Sequence, residues 1–154
     1  MVVAMARVIG VPRMAVRVAL FLLVFVLSAA AAPGEVVLKT ASGAHPISVE
    51  WAITAAEQER GLMFRTAMPP DHGMMFVFEK EEPVYFWMHD TPLSLDMIFI
   101  AKDGTVRRIE KRAEPNSDRV IASGASVSYV LELGGGVADR LGLVVGDRVE
   151  IPPH

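Results

Sequence analysis

Cysteine is missing from all 154 residues. No disulfide can hold the fold, no thiol can act as a nucleophile, and the cysteine that bacterial lipid anchoring requires is not there. The domain must therefore be held by its core alone. Two further catalytic signatures are absent: the chain has no Gly-x-Ser-x-Gly and no His-Glu-x-x-His. Gly134-Gly135-Gly136 lacks the following Lys and Ser/Thr of a phosphate-binding loop. It reads as a flexible connection, although its backbone N–H groups could serve an anion at the start of a helix at Val137. No repeat and no low-complexity tract follows Pro33.

Acidic residues are also missing from the start of the chain, the first being Glu35. Arg7, Arg13 and Arg17 precede or open an uncharged run from Val18 to Ala32, which ends in Ser28-Ala29-Ala30-Ala31-Ala32. A spanning helix needs roughly 20 apolar residues, and this run is shorter. Small residues at its end suit a signal peptidase. Residues 1–31 are thus expected to be a signal peptide cleaved near Ala30 or Ala31, with an uncleaved membrane anchor as the competing reading. Export to the periplasm or secretion follows, and residues 35–154 form a single β-rich domain.

Removing the three arginines changes the charge balance. Of 15 Lys/Arg and 18 Asp/Glu, 12 and 18 remain, a formal charge of −6. An acidic domain argues against nucleic acid as a partner, because phosphate binding needs clustered cations.

What is present reads as short strands between turn signals. Glu35 to Thr40 is a strand, with a turn at Ser42-Gly43. Ile47, Val49, Trp51 and Ile53 then alternate with Ser48, Glu50 and Ala52, giving one buried and one wet face. Thr54-Ala55-Ala56-Glu57 has the form of a capping box, predicting a short helix to about Arg60 that Gly61 ends. Pro69 to Gly73 is a turn in which His72 is expected to be exposed. Met74 to Phe78 is apolar on both faces, as a central strand would be. Val84 to Met88, Leu93 to Ile100, Thr105 to Lys111, Val127 to Leu133 and Arg148 to Ile151 are further strands. Asp103-Gly104 marks a hairpin, Glu114 to Asp118 a polar loop, and Val137 to Leu141 one helical turn. The expected fold is mainly β: a rolled or barrel-like mixed sheet of about eight short strands with two short helices.

Five segments in this order resemble a known family. They are Gly61-Leu62-Met63-Phe64-Arg65, Gly73 to Phe78, Phe86-Trp87-Met88-His89-Asp90-Thr91, Leu95 to Ile100, and Tyr129 to Leu133 followed by glycines. Their spacing is similar to that of the uncharacterised bacterial and archaeal family called domain of unknown function 192. The resemblance covers roughly Val36 to Ile151 and implies a compact β-rich domain, often exported, with no established activity. That family usually has Lys-Asn-Thr where this chain has His89-Asp90-Thr91, which replaces a permanent cation by a pH-sensitive one.

The candidate site residues are polar or aromatic ones set among apolar strands. Asp96 and Glu132 interrupt strand patterns, and a carboxylate facing a core costs several kcal/mol unless it is paired or hydrogen-bonded. Arg65 is a candidate partner. Each carboxylate is either half of a structural ion pair or part of a cleft. Tyr85 and Trp87 share one strand face, suited to core packing or to stacking on a ligand. Met63, Met68, Met74, Met75, Met88 and Met97 lie near His72 and His89, a donor set that would suit copper, although methionine also fills core gaps.

The leading expectation is a small cell-envelope binding or interaction module without cofactor. Arg65, His89, Asp90, Asp96 and Glu132 supply polar contacts, and Trp87 an apolar wall. Its partner would be a small molecule, a glycan or an envelope protein, and the membrane would be met only through the signal segment. Two alternatives stand beside it. One is a carbohydrate-acting hydrolase or lyase using Asp96 and Glu132 roughly 5 to 9 Å apart. The other is a periplasmic copper-handling protein.

Overall fold

The computed structural model describes residues 34–154. The expected signal peptide, residues 1–31, lies outside the described residues. Nine strands and two short helices follow in the order β1 (Gly34–Thr40), β2 (Gly43–Ala52), α1 (Ala55–Arg60), β3 (His72–Glu82), β4 (Tyr85–Phe86), β5 (Leu95–Ile100), β6 (Val106–Ala113), β7 (Ile121–Ala122), β8 (Val127–Gly134), α2 (Val137–Leu141) and β9 (Arg148–Glu150).

Seven strands form one mixed sheet in the order β6-β5-β8-β3-β2-β1-β9. Neighbours are antiparallel except β2 and β3, which run parallel. A parallel pair needs a crossover between its strands, and α1 with the turns after it supplies one. The sheet curls into a half-barrel. Its two ends meet where Thr105 bridges Arg148, and Val149 N–H donates to Gly104 O at 2.8 Å. Gly104 has φ +87°, and a Cβ there would lie 2.5 Å from Val149 O, so this closure needs glycine.

The inner face is apolar. Val36, Leu38, Ile47, Val49, Met75, Ile98 and their neighbours from all seven strands pack with Val137, Ala138 and Leu143 around α2. The outer face is covered in part by a second layer. There Met97, Phe99, Phe76 and Val130 pack beneath Leu62, Val84, Met88 and Ile121. Pairing of β4 with β7 forms the two-stranded ribbon of this layer.

Several local expectations are met. Glu57 Oε2 accepts from Thr54 N–H at 2.8 Å while Glu57 N–H donates to Thr54 Oγ1, completing the capping box. Gly61, at φ +46°, ends α1. The Asp103-Gly104 turn joins β5 to β6.

Other expectations are corrected. The Val84 to Met88 strand contracts to Tyr85–Phe86 and leaves the main sheet, because the β3–β8 register breaks between Val77 and Glu82 and the chain peels away before Pro83. Its partner β7 brings the strand count to nine. Ile53 is 50% exposed rather than buried, since β2 stops at Ala52 and the Thr54 cap turns the chain outward. The three glycines are not a loose connection: Gly135 N–H donates to Ser94 O at 2.8 Å, and Gly136 N–H donates to the Asp96 carboxylate at 3.0 Å. His72 is half-buried, its ring held by Glu50 at 2.9 Å.

Candidate functional site

Strand registers determine what the outer face presents at its centre. Glu50 of β2 lies opposite Met74 of β3, Met74 opposite Glu132 of β8, Glu132 opposite Met97 of β5, and Met97 opposite Glu110 of β6. Cross-strand partners share a face. The sheet therefore carries a lateral row of three glutamates separated by methionines. The neighbouring row on the inner face, Trp51, Met75, Leu131, Ile98 and Ile109, holds no charge.

The three glutamates differ in their company. Glu50 receives both guanidinium nitrogens of Arg65, at 2.6 and 2.5 Å, and the ring of His72. The Arg65 hydrogen bond is the main force holding its carboxyl down at about 2; burial opposes it and His72 assists. Glu110 receives Arg108, at 2.5 Å, and Arg119. Glu132 receives no hydrogen bond from any described residue, yet it is only 4% exposed. Burial alone pushes its carboxyl up to about 8.

Glu132 instead faces a recess of about 40 Å³ walled by Leu62, Phe76, Phe86, Trp87 and Thr91, with Gln58 of α1 at its mouth. The recess shares Phe76, Phe86 and Trp87 with an open groove of about 290 Å³ that runs over Phe78, Val84 and Tyr85. Two loops frame it. Phe64 N–H donates to Asp90 O at 2.7 Å, and both residues hold positive φ, 64° and 49°. A non-glycine residue in that region is strained, and such strain gathers at sites that need a fixed shape. Gln58 braces the other rim, donating from Nε2 to Val77 O at 2.7 Å and to the carbonyls of Ala52 and Ile53.

The six sequence candidates separate into three places. Trp87 and Glu132 both line the recess. His89 stacks on Trp87 with ring centroids 4.9 Å apart, and Asp90 follows it. The His89 ring bonds Asp118 at 2.7 Å, and this bond, with the charge of Asp90, raises its pKa. Arg65 pairs with Glu50, which corrects its expected pairing with Asp96 or Glu132: the chain after α1 delivers the guanidinium to β2. Asp96 lies elsewhere. It pairs with Leu133, points to the inner face, and is fully buried. There it accepts backbone N–H groups from Arg112, Gly136 and Ala138 at 2.8 to 3.0 Å, at the start of α2. The anion that the glycine-rich turn receives is thus a side chain of the protein itself.

Opposite faces also remove the two-carboxylate hydrolase arrangement, since Asp96 and Glu132 cannot flank one bond. Trp87 is 52% exposed and Tyr85 71%, so core packing does not account for either. Met74, Met75, Met88 and Met97 are buried in the two cores, whereas His72 and His89 are held by carboxylates. Among the described residues no three His, Asp or Glu side chains are grouped to hold a metal. Glu50, Gln58, Phe76 and Phe86 escaped the sequence reading. Phe76 and Phe86 stand in the segments shared with the family and Glu50 in an alternating strand, but the convergence of the four depends on register.

The chain matches the family described as DUF192, Uncharacterized ACR, over residues 36–151. Among the solved structures that resemble it are the following two. One, from Sinorhizobium meliloti 1021 and provisionally named a transcription regulator, is 49% identical with a TM-score of 0.76, covering 79% of this chain and 95% of that one. The other, a protein of unknown function from Novosphingobium aromaticivorans DSM 12444, is 37% identical with a TM-score of 0.75, covering 79% and 94%. No curated protein is detectably similar.

Proposed function

The chain belongs to the uncharacterised domain of unknown function 192 family, and from that premise we propose that it is a small binding module of the cell envelope whose ligand occupies the groove over Glu132 and Trp87. One observation carries this reading. A carboxyl buried without a partner is unfavourable by several kcal/mol unless something offsets it, and this one opens on a recess continuous with an aromatic groove. A site assembled only for stability would have paired Glu132, as the same sheet pairs Glu50 and Glu110.

The signal-like first 31 residues support the envelope placement. Among the described residues α1 has six residues and α2 five, shorter than a helix that reads a DNA groove, and the name of the Sinorhizobium relative is not carried over to this chain. The one hydroxyl that lines the recess, that of Thr91, donates to His89 O at 3.0 Å, and binding rather than turnover is the role assigned.

The test is an amide and indole NMR titration of residues 32–154 with a panel of neutral, cationic and anionic six- to eight-carbon fragments and simple sugars. Shifts gathered on Gly61, Thr91, Leu133 and the Trp87 indole N–H are expected. Shifts that avoid these groups for every fragment would remove the groove as the binding site.

A further inference from the structure

The lateral row of glutamates also indicates what the groove accepts. Each outer member, Glu50 and Glu110, holds two basic side chains. The central member holds none, and its place for a partner is the recess. The walls are aromatic, and aromatic faces attract cations. The recess volume of about 40 Å³ is enough for a water-sized group, which needs roughly 10–15 Å³ of such space. That space suits a compact ammonium, which is a point charge on a single heavy atom. Beyond the recess, Phe78, Val84, Tyr85 and Phe86 offer an apolar path of about 290 Å³. The other ionisable side chains at the rim are Glu59 and Arg60 of α1, both exposed. His89 lies against Trp87.

We propose that this site takes a primary ammonium group carried on an apolar chain, with the ammonium in the recess against Glu132 and the chain along the groove between α1 and β4. This rests on the groove being the binding site. The ammonium supplies the counter-charge that the sheet withholds from Glu132. A quaternary ammonium has no N–H and cannot donate to the Glu132 carboxylate.

Three six-carbon probes test it by calorimetry and NMR on residues 32–154: hexylammonium, hexanol and hexanoate, with tetramethylammonium as the control without N–H donors or chain. Hexylammonium is expected to bind at least tenfold more tightly than hexanol at pH 8, and hexanoate and tetramethylammonium not measurably. Binding should release a proton below pH 8, seen as a heat that depends on the buffer, so affinity rises from pH 6 to 8. Glu132→Gln should abolish both the ammonium preference and the proton release while hexanol still shifts the groove signals. Trp87→Leu should weaken hexylammonium several-fold and leave the melting temperature close to wild type, which guards against misfolding as an explanation. Groove shifts from hexanol equal to or stronger than those from hexylammonium would overturn the ammonium assignment and leave the groove a binding site. No groove shift from any of the three chain-bearing probes would overturn both.

Discussion

Asp96 and Glu132 sit on neighbouring strands one step out of register, so their side chains leave the sheet through opposite faces. Asp96 enters the inner core and meets three backbone N–H groups. Glu132 enters the outer layer and meets none. Two carboxylates of nearly equal burial therefore have different consequences. The first closes a turn and starts a helix. The second has no protein partner and opens on the recess.

Removing the Asp96 carboxylate strands three N–H donors, two of them at the start of α2. Hydrogen bonds to a charged group contribute more than neutral ones, and unpaired buried donors add their own penalty. Asp96→Ala should lower stability by about 3 kcal/mol or more, with Asp96→Asn intermediate because it keeps one acceptor oxygen. Urea unfolding measures this. A loss under about 1 kcal/mol would show that the turn is held by other contacts.

Strand periodicity made the sheet's composition legible, and Thr54 with Glu57 located α1 from four residues. The ribbon was not legible. β4 and β7 have two residues each, too few for a period, and their pairing depends on a register break in β3 that no residue announces. The interruptions at Asp96 and Glu132 were visible, and the need of each for a partner followed from physics. Which face each would take was fixed by pairing between strands far apart in sequence. Arg65 shows the same limit. Its charge asked for a carboxylate, and the chain held several. Only the parallel register of β2 and β3, with the crossover after α1, selects Glu50.

Glu50 bears on acid stability. Its carboxyl is held at about 2, below the ordinary 4.5, chiefly by Arg65. The unfolded chain binds a proton on this group near pH 4.5 and the folded one does not until about 2, so the pair stabilises above 4.5 and its contribution fades between 4.5 and 2. Arg65→Met should cost about 1–2 kcal/mol at neutral pH, discounted because both partners are partly solvated. It should also flatten the acid limb of the stability curve. Melting temperatures from pH 2 to 7 give the comparison, and parallel curves for the two proteins would contradict it.

His89 should titrate above the usual histidine value of 6.5, because Asp118 accepts its ring N–H and Asp90 adds negative charge. Asp118→Asn removes the larger influence and should bring the midpoint back toward 6.5. Imidazole proton shifts between pH 5 and 9 would follow it. An unchanged midpoint would mean that the His89–Asp118 contact does not persist in solution.

Glu132 has the opposite sign to Glu50. Its folded carboxyl titrates at about 8 and its unfolded one at 4.5. Between those values the folded state binds the proton and the unfolded state does not, so stability falls as pH rises, by up to about 1.4 kcal/mol per unit. The contribution is whole below 4.5 and lost by about pH 8. Glu132→Gln keeps the shape and removes this titration, so its stability curve should fall less steeply than that of wild type across this window and lie above wild type at pH 8. Urea unfolding at pH 5, 6.5 and 8 makes the measurement. Equal slopes in wild type and variant would place the carboxylate in water after all. A slope that hexylammonium reduces in wild type but not in Glu132→Gln would tie the buried charge to its proposed partner, because a ligand that binds only the ionised folded form lowers the folded pKa toward the unfolded one.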